Sequence, residues 1–216
     1  MIVMKSLDRF LTASLVAGAM LGGYLCTCLR LIHLGPKLPR TVAMPDWIPF
    51  WPVFVWPYLL LLAGGWLLPV AIRNGLEFRR CIRAAVFAYV FVAPWWVLDP
   101  TTLPRPHYES AWWTVPYAWL VGVDPPNNIL PCAHVLLPTV GAWYAGLDRP
   151  RWRIPLIWLL TLCTPSIFLT WQHRPLDVAL GLVAAAVGIS LSSSERLFPN
   201  TGGREVASAA GPSATQ

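Results

Sequence analysis

FWPVFVWPYLLLLAGGWLLPVAI, residues 50 to 72, contains no Asp, Glu, Lys or Arg. A helix needs about 20 apolar residues, rising about 1.5 Å each, to cross the roughly 30 Å hydrocarbon layer of a bilayer. The stretch therefore reads as a membrane span. Apolar runs at 10–34, 82–98, 134–147, 154–170 and 176–190 surround it, with few or no charges inside. The run at 10–34 meets the required length outright, whereas the shorter ones reach it by borrowing flanking Trp, Thr and Ser residues. The sequence predicts an all-α polytopic membrane protein with a six-transmembrane-helix bundle.

Composition agrees. Of 216 residues, 56% are hydrophobic and 12% charged, about half the roughly 25% charge of soluble domains. Thirteen Trp, among them Trp95, Trp96, Trp112, Trp113, Trp119 and Trp171, fit the aromatic belts at headgroup depth. Pro57, Pro69, Pro94, Pro138 and Pro165 would break soluble helices, but in a packed bundle neighbouring helices re-satisfy the freed backbone groups. Gly18 and Gly22 form a GxxxG, a pattern that permits close helix approach and also recurs by chance. Lys5 and Arg9 precede a run too long for a cleaved signal, so the first span is expected to be retained. From Ser192 the chain turns into aperiodic Ser, Gly, Ala and Pro. The expected organisation is one membrane domain over 1–191 and a flexible tail over 192–216.

The five cysteines, Cys26, Cys28, Cys81, Cys132 and Cys163, give neither a disulfide framework nor a zinc-ligand spacing along the chain. Six spans put both termini on one side with the connections near 73–83 and 147–153. That side holds Lys5, Arg9, Arg73, Arg79, Arg80, Arg83, Arg149, Arg151, Arg153, Arg196 and Arg204, which is 11 of the 16 basic residues. Flanking Lys and Arg set orientation, so this side is expected to be cytoplasmic. The net charge of +6 then reports topology. No soluble segment is long enough to carry a nucleic-acid-binding face, so no nucleic-acid partner is expected.

Three polar stretches fall on the opposite side: DPTTLPRP (99–106) with Arg105, NNILPCAHV (127–135) with His134, and TWQHRPLDV (170–178) with His173, Arg174 and Asp177. Two imidazoles, two guanidinium groups and a carboxylate suit chemistry on a phosphate ester. Pro175 fits the first turn of a helix, which leaves His173 just ahead of it and Asp177 inside the first turn. The carboxylate is then placed to hold the imidazole in one tautomer and free the other nitrogen to attack phosphorus. His134 is the expected acid, Arg105 and Arg174 the expected partners of phosphoryl oxygens, and the backbone N–H groups of Cys132 and Ala133 the expected helix-start donors. Taken singly, each residue has a plainer reading: His134 as a packing residue, Asp177 as a favourable helix-start charge, Arg174 as a headgroup contact. Asp46, Asp99 and Asp124 read as turn formers or solvated groups. Asn127 and Asn128 read as a helix cap or headgroup contact, and His107 as interfacial.

In order and spacing these stretches resemble the type 2 phosphatidic acid phosphatase superfamily, and more closely its branch with inositol phosphorylceramide synthase and the sphingomyelin synthases. Arg105-Pro106 is similar to the end of the first family motif. Pro131, Cys132, Ala133 and His134 nearly match Pro-Ser-x-His of the second. SIFLTWQHRPLDVALG (166–181) resembles the third, with Ser166, Thr170, Gln172, His173, Asp177 and Gly181 in the branch's pattern, and PDWIPFWPVFVWPY (45–58) is similar to an upstream stretch of the same branch. The resemblance implies a phosphohistidine intermediate on His173, acid help from His134, no cofactor and no metal. The substrate would be a lipid phosphate, taken at the outer leaflet on the periplasmic, extracellular or lumenal side, with membrane lipids as the other partners. Leu98, Cys132, Ile167 and Trp171 stand where the family often has Lys, Ser, Arg and Lys, so the phosphate cradle carries fewer cations. Three functions remain open: a lipid phosphatase or phosphotransferase, a catalytically degenerate lipid-binding or scaffolding relative, and a small transporter. Oligomeric state is not legible.

Overall fold

The computed structural model describes residues 6–33, 40–109, 111–124 and 126–194. Lys5, Lys37, Arg196, Arg204 and the expected tail from 195 onward lie outside them. In chain order the helices are α1 (Ser6–His33), α2 (Val55–Ala71), α3 (Gly75–Leu98), α4 (Val115–Val123), α5 (Ala133–Asp148), α6 (Pro150–Cys163), α7 (Pro165–Leu169) and α8 (Pro175–Ser192). A two-residue parallel ladder pairs β1 (Arg40–Thr41) with β2 (Thr101–Thr102).

Among the described residues, five helical segments are long and apolar enough to cross a bilayer: Ser6–Thr27, Pro52–Ala71, Gly75–Leu98, Pro150–Leu169 and Pro175–Ser192. The expected count of six is corrected to five. The run at 134–147 becomes α5, a helix of 16 residues, whose length of about 24 Å falls short of the hydrocarbon layer. Its sequence limits it at both ends, with Pro131 ahead of the start and Pro150 just beyond the end. Instead of facing lipid, α5 packs against α2, α3, α6 and α8. Val135, Leu136, Val140, Ala142, Tyr144 and Ala145 are buried along it.

Local chemistry explains the element boundaries. Asn74 caps α3 by accepting from the N–H groups of Leu76 and Glu77, and Glu77 in the first turn both faces the positive helix end and pairs with Arg80 at 2.9 Å. Pro150 and Pro175 open α6 and α8, where a missing N–H costs no helix hydrogen bond. Helix α8 settles against α3 and α5 through small residues. A β-carbon on Gly188 would overlap the Ala84 carbonyl, and one on Gly181 would overlap the Cys132 carbonyl. Gly18 and Gly22, the GxxxG pair, meet nothing within 4 Å.

Large apolar side chains cover the outside of the helices, including Leu15, Leu60, Leu67, Val90, Ile154 and Leu162. A surface of this kind is tolerated in lipid and drives association in water. The molecule is thus an all-α chain of multi-pass membrane type. Trp47, Trp112, Trp119, Trp152 and Trp158 are exposed as a belt requires. Trp96 departs from that expectation, being fully buried with its indole N–H donating to the Pro131 carbonyl at 3.2 Å.

The two ends of the bundle differ. At one end Asp148 accepts from the backbone N–H groups of Arg73 and Asn74, Arg149 donates to Ala71, and Arg9 donates to Arg73. At the other, loops close over the helix ends around a small core of Val42, Met44, Ile48, Leu103 and Ile129. Arg40 and Asp99 pair there at 2.8 Å, and Leu130 N–H donates to the Thr101 hydroxyl.

Candidate functional site

Beneath this loop layer the chain brings together two imidazoles from segments 39 residues apart in sequence. His134 lies in the first turn of α5. Pro138, four residues on, has no N–H to give the His134 carbonyl, so the helix ladder is open at this point. His173 lies in the tight connection from α7 to α8. There the Gln172 and His173 N–H groups return to the Ile167 carbonyl and Trp171 adopts a left-handed φ of 52°. Backbone N–H of Cys132 donates to the Asp177 carbonyl at 3.0 Å, tying the start of α5 to the first turn of α8. With Gly181 against the Cys132 carbonyl, that contact has no room to slide.

His173 Nδ1–H donates to the Ile129 carbonyl at 2.6 Å. This assigns the proton to Nδ1 and leaves the Nε2 lone pair facing His134, whose Nδ1 stands 3.0 Å away. The Tyr58 hydroxyl is 2.9 Å from the same His134 nitrogen. Burial, reinforced by His134 and then by Arg105 and Arg174, holds His173 well below the ordinary imidazole range, so it is neutral. Cys132 is fully buried, and burial pushes its thiol up to about 12.

Arg105 donates through Nη2 to the Asp124 carbonyl at 3.0 Å and stands 3.6 Å from the Asp124 carboxylate. Its Nε and Nη1 are buried without a well-formed hydrogen bond, although the Tyr117 hydroxyl lies beside the guanidinium, and the Trp171 indole and both polar atoms of the Gln172 side-chain amide are likewise without one. Buried donors are rarely left unpaired unless something else satisfies them. Asp124 is a structural acceptor for Tyr24 at 2.8 Å as well as for Arg105, which is more than the turn former expected from the sequence.

The expected bond between Asp177 and His173 is absent among the described residues. The Asp177 carboxylate instead accepts from Arg174, by the backbone N–H at 2.8 Å, Nε at 3.1 Å and Nη2 at 2.8 Å. Only three positions from Asp177 along the chain, Arg174 reaches the carboxylate as the helix starts, and the Ile129 carbonyl takes the place expected for it on His173. Arg174 is to the same extent drawn away from the phosphate role, because two of its donors are committed. The Cys132 N–H is likewise engaged with Asp177, which leaves Ala133 as the expected backbone donor with the helix-start position. Asn128, buried with φ 58°, donates to the Thr27 hydroxyl at 2.9 Å rather than capping α5. His107 is exposed.

Tyr58, Tyr117 and the Ile129 carbonyl were not singled out by sequence reasoning. Tyr58 had a signal, since it ends the 45–58 stretch quoted above. A backbone carbonyl carries none. No family model, no curated protein and no solved structure matches the chain.

Proposed function

We propose that the chain is an integral-membrane phosphatase or phosphotransferase acting on a lipid phosphate through a phosphohistidine on His173. The observation that carries this reading is the 2.6 Å contact of His173 Nδ1 with the Ile129 carbonyl, from which the tautomer of His173 follows. Its Nδ1–H is held by a carbonyl and its Nε2 lone pair points at a second imidazole, which is how a nucleophile and an acid are presented to one group. The Arg105 donors without a well-formed hydrogen bond add a ready partner for phosphoryl oxygens.

In this reading the phosphoryl group enters between the imidazoles and displaces their hydrogen bond. With the anionic phosphate ester bound, His134 takes up a second proton as imidazolium; His173 Nε2 bonds to phosphorus, the ester P–O bond breaks, and the departing oxygen takes one proton from His134, which is left as the neutral imidazole. Water or an alcohol then attacks phosphorus with His134 accepting its proton, and the P–N bond breaks. Arg105 balances charge on the phosphoryl oxygens throughout. Helix α5, too short to count among the five spans, still runs from Cys132 beside Asp177 to Asp148 beside Arg73, so α1 starts and α8 ends on the same side; in this reading that side is cytoplasmic and the site faces the exoplasmic leaflet, in keeping with the excess of Lys and Arg at the terminal end. The pairing of Asp177 with Arg174 favours a second reading, a lipid-binding bundle that has lost catalysis.

The test is trapping of labelled phosphate on purified protein incubated with phosphatidate or a polyprenyl phosphate. Label on wild type that is lost in His173→Ala supports the enzyme. Equal labelling, or turnover that survives the substitution, overturns it.

A further inference from the structure

Cys132 completes a triangle with the two imidazoles, and the mechanism above makes no use of its sulfur. One ligand atom from each of Cys132, His134 and His173 lies within 4.8 Å of the others. Around a tetrahedral zinc, with bonds of about 2.0–2.1 Å to nitrogen and 2.3 Å to sulfur, neighbouring donors stand roughly 3.3–3.6 Å apart. The nitrogens, now 3.0 Å apart, need to separate by only a few tenths of an ångström, and the sulfur needs to close by about an ångström. His173 also has the outer contact typical of a metal-bound imidazole: its remote Nδ1–H donates to the Ile129 carbonyl at 2.6 Å, which holds the ring with Nε2 available. A thiolate with two imidazoles selects zinc or copper over magnesium and calcium.

We propose that Cys132, His134 and His173 bind a zinc ion, and that zinc shuts off phosphoryl transfer by occupying the Nε2 lone pair of His173. The Zn–S bond forms as the Cys132 S–H proton leaves to solvent, one proton per ion. His134 keeps its charge by moving its proton from Nδ1 to Nε2 as Nδ1 binds the metal. A fourth position, beside the Tyr58 hydroxyl, is left for water or a phosphate oxygen. The site departs from the metal-free chemistry that the family resemblance implies. The shut-off rests on the phosphotransfer reading, whereas the metal binding does not.

Tag-free full-length protein in detergent is titrated with Co2+ and then Zn2+. One Co2+ per chain is expected, with a thiolate-to-cobalt charge-transfer band in the near ultraviolet that Zn2+ bleaches. Cys132→Ser is expected to remove the band, His173→Gln to weaken binding by at least about 10-fold, and Cys81→Ser to leave it unchanged. No band in wild type, or a band that survives Cys132→Ser, overturns the site. In a parallel assay, stoichiometric zinc is expected to suppress phosphate release by wild type and a chelator to restore it. Turnover unchanged by bound zinc overturns the shut-off. A cobalt band with no turnover at any zinc level overturns the phosphotransfer reading and the shut-off with it, and leaves the metal site standing.

Discussion

His173 Nε2 stands 3.0 Å from His134 Nδ1, although the two residues come from different helix starts. With the His173 proton placed on Nδ1 by the Ile129 carbonyl, His134 is the donor in this pair. The resting site is therefore closed on itself, and a substrate competes with His134 for the nucleophile. Tyr58 shares the same His134 nitrogen and so controls how readily the pair opens.

Removing that hydroxyl isolates its contribution. Tyr58→Phe is expected to lower kcat on a lipid phosphate by about 10-fold, toward the small end of what positioned proton transfer contributes, with KM changed less than about two-fold. Steady-state kinetics in mixed micelles measures both. An unchanged kcat would show that Tyr58 only fills space.

The depressed pKa of His173 predicts a pH dependence of stability. The unfolded chain protonates His173 near the ordinary value of 6.5, whereas the folded site resists protonation because of burial and then His134. Native stabilisation from this residue is thus fully present above about pH 6.5 and is lost progressively as pH falls below it. Thermal unfolding of the detergent-solubilised protein should show a falling midpoint from about pH 6.5 downward, and His173→Gln should flatten that slope.

Gly181 and Gly18 make a paired prediction about packing. Gly181→Ala drives a methyl group into the Cys132 carbonyl and should destabilise by about 1–3 kcal/mol while loosening the start of α5. Gly18→Ala meets nothing within 4 Å and should be neutral, or stabilising by up to about 1 kcal/mol from lower backbone entropy in the unfolded chain. Unfolding in a denaturing detergent series ranks the two. Equal effects would refute the asymmetry.

Asp177 is fully buried and its compensating charge comes from Arg174, itself largely buried. Arg174→Met leaves a carboxylate without its partner and should cost about 3–5 kcal/mol, whereas Arg174→Met with Asp177→Leu should recover much of the loss. A double-mutant cycle by unfolding measures the coupling. If Asp177 instead served chiefly to orient His173, the double variant would be no better than the single one.

The apolar runs were legible because side-chain hydrophobicity and length suffice to make a helix in lipid, where every backbone group has to bond within its own segment. Helix starts at Pro150 and Pro175 were legible for a similar reason, since proline carries its own φ. The location of His134, His173 and Arg105 at one end followed from counting spans, even though one of those spans is a shorter, interior helix. Hydropathy could not separate that helix from a span: an apolar side chain looks the same whether lipid or protein covers it.

By itself, then, the sequence determined that this chain is helical, apolar enough for a membrane, and equipped with imidazole, guanidinium and carboxylate groups near helix starts. Only the tertiary structure decided their partners. The Ile129 carbonyl accepts from His173 Nδ1–H, Arg174 pairs with Asp177, and Cys132 came to rest beside both imidazoles. Hydrogen bonds and ion pairs act over about 3 Å, so a partner is chosen by which group arrives first in space. Backbone carbonyls, which every residue has, compete for that place without leaving a mark in the sequence.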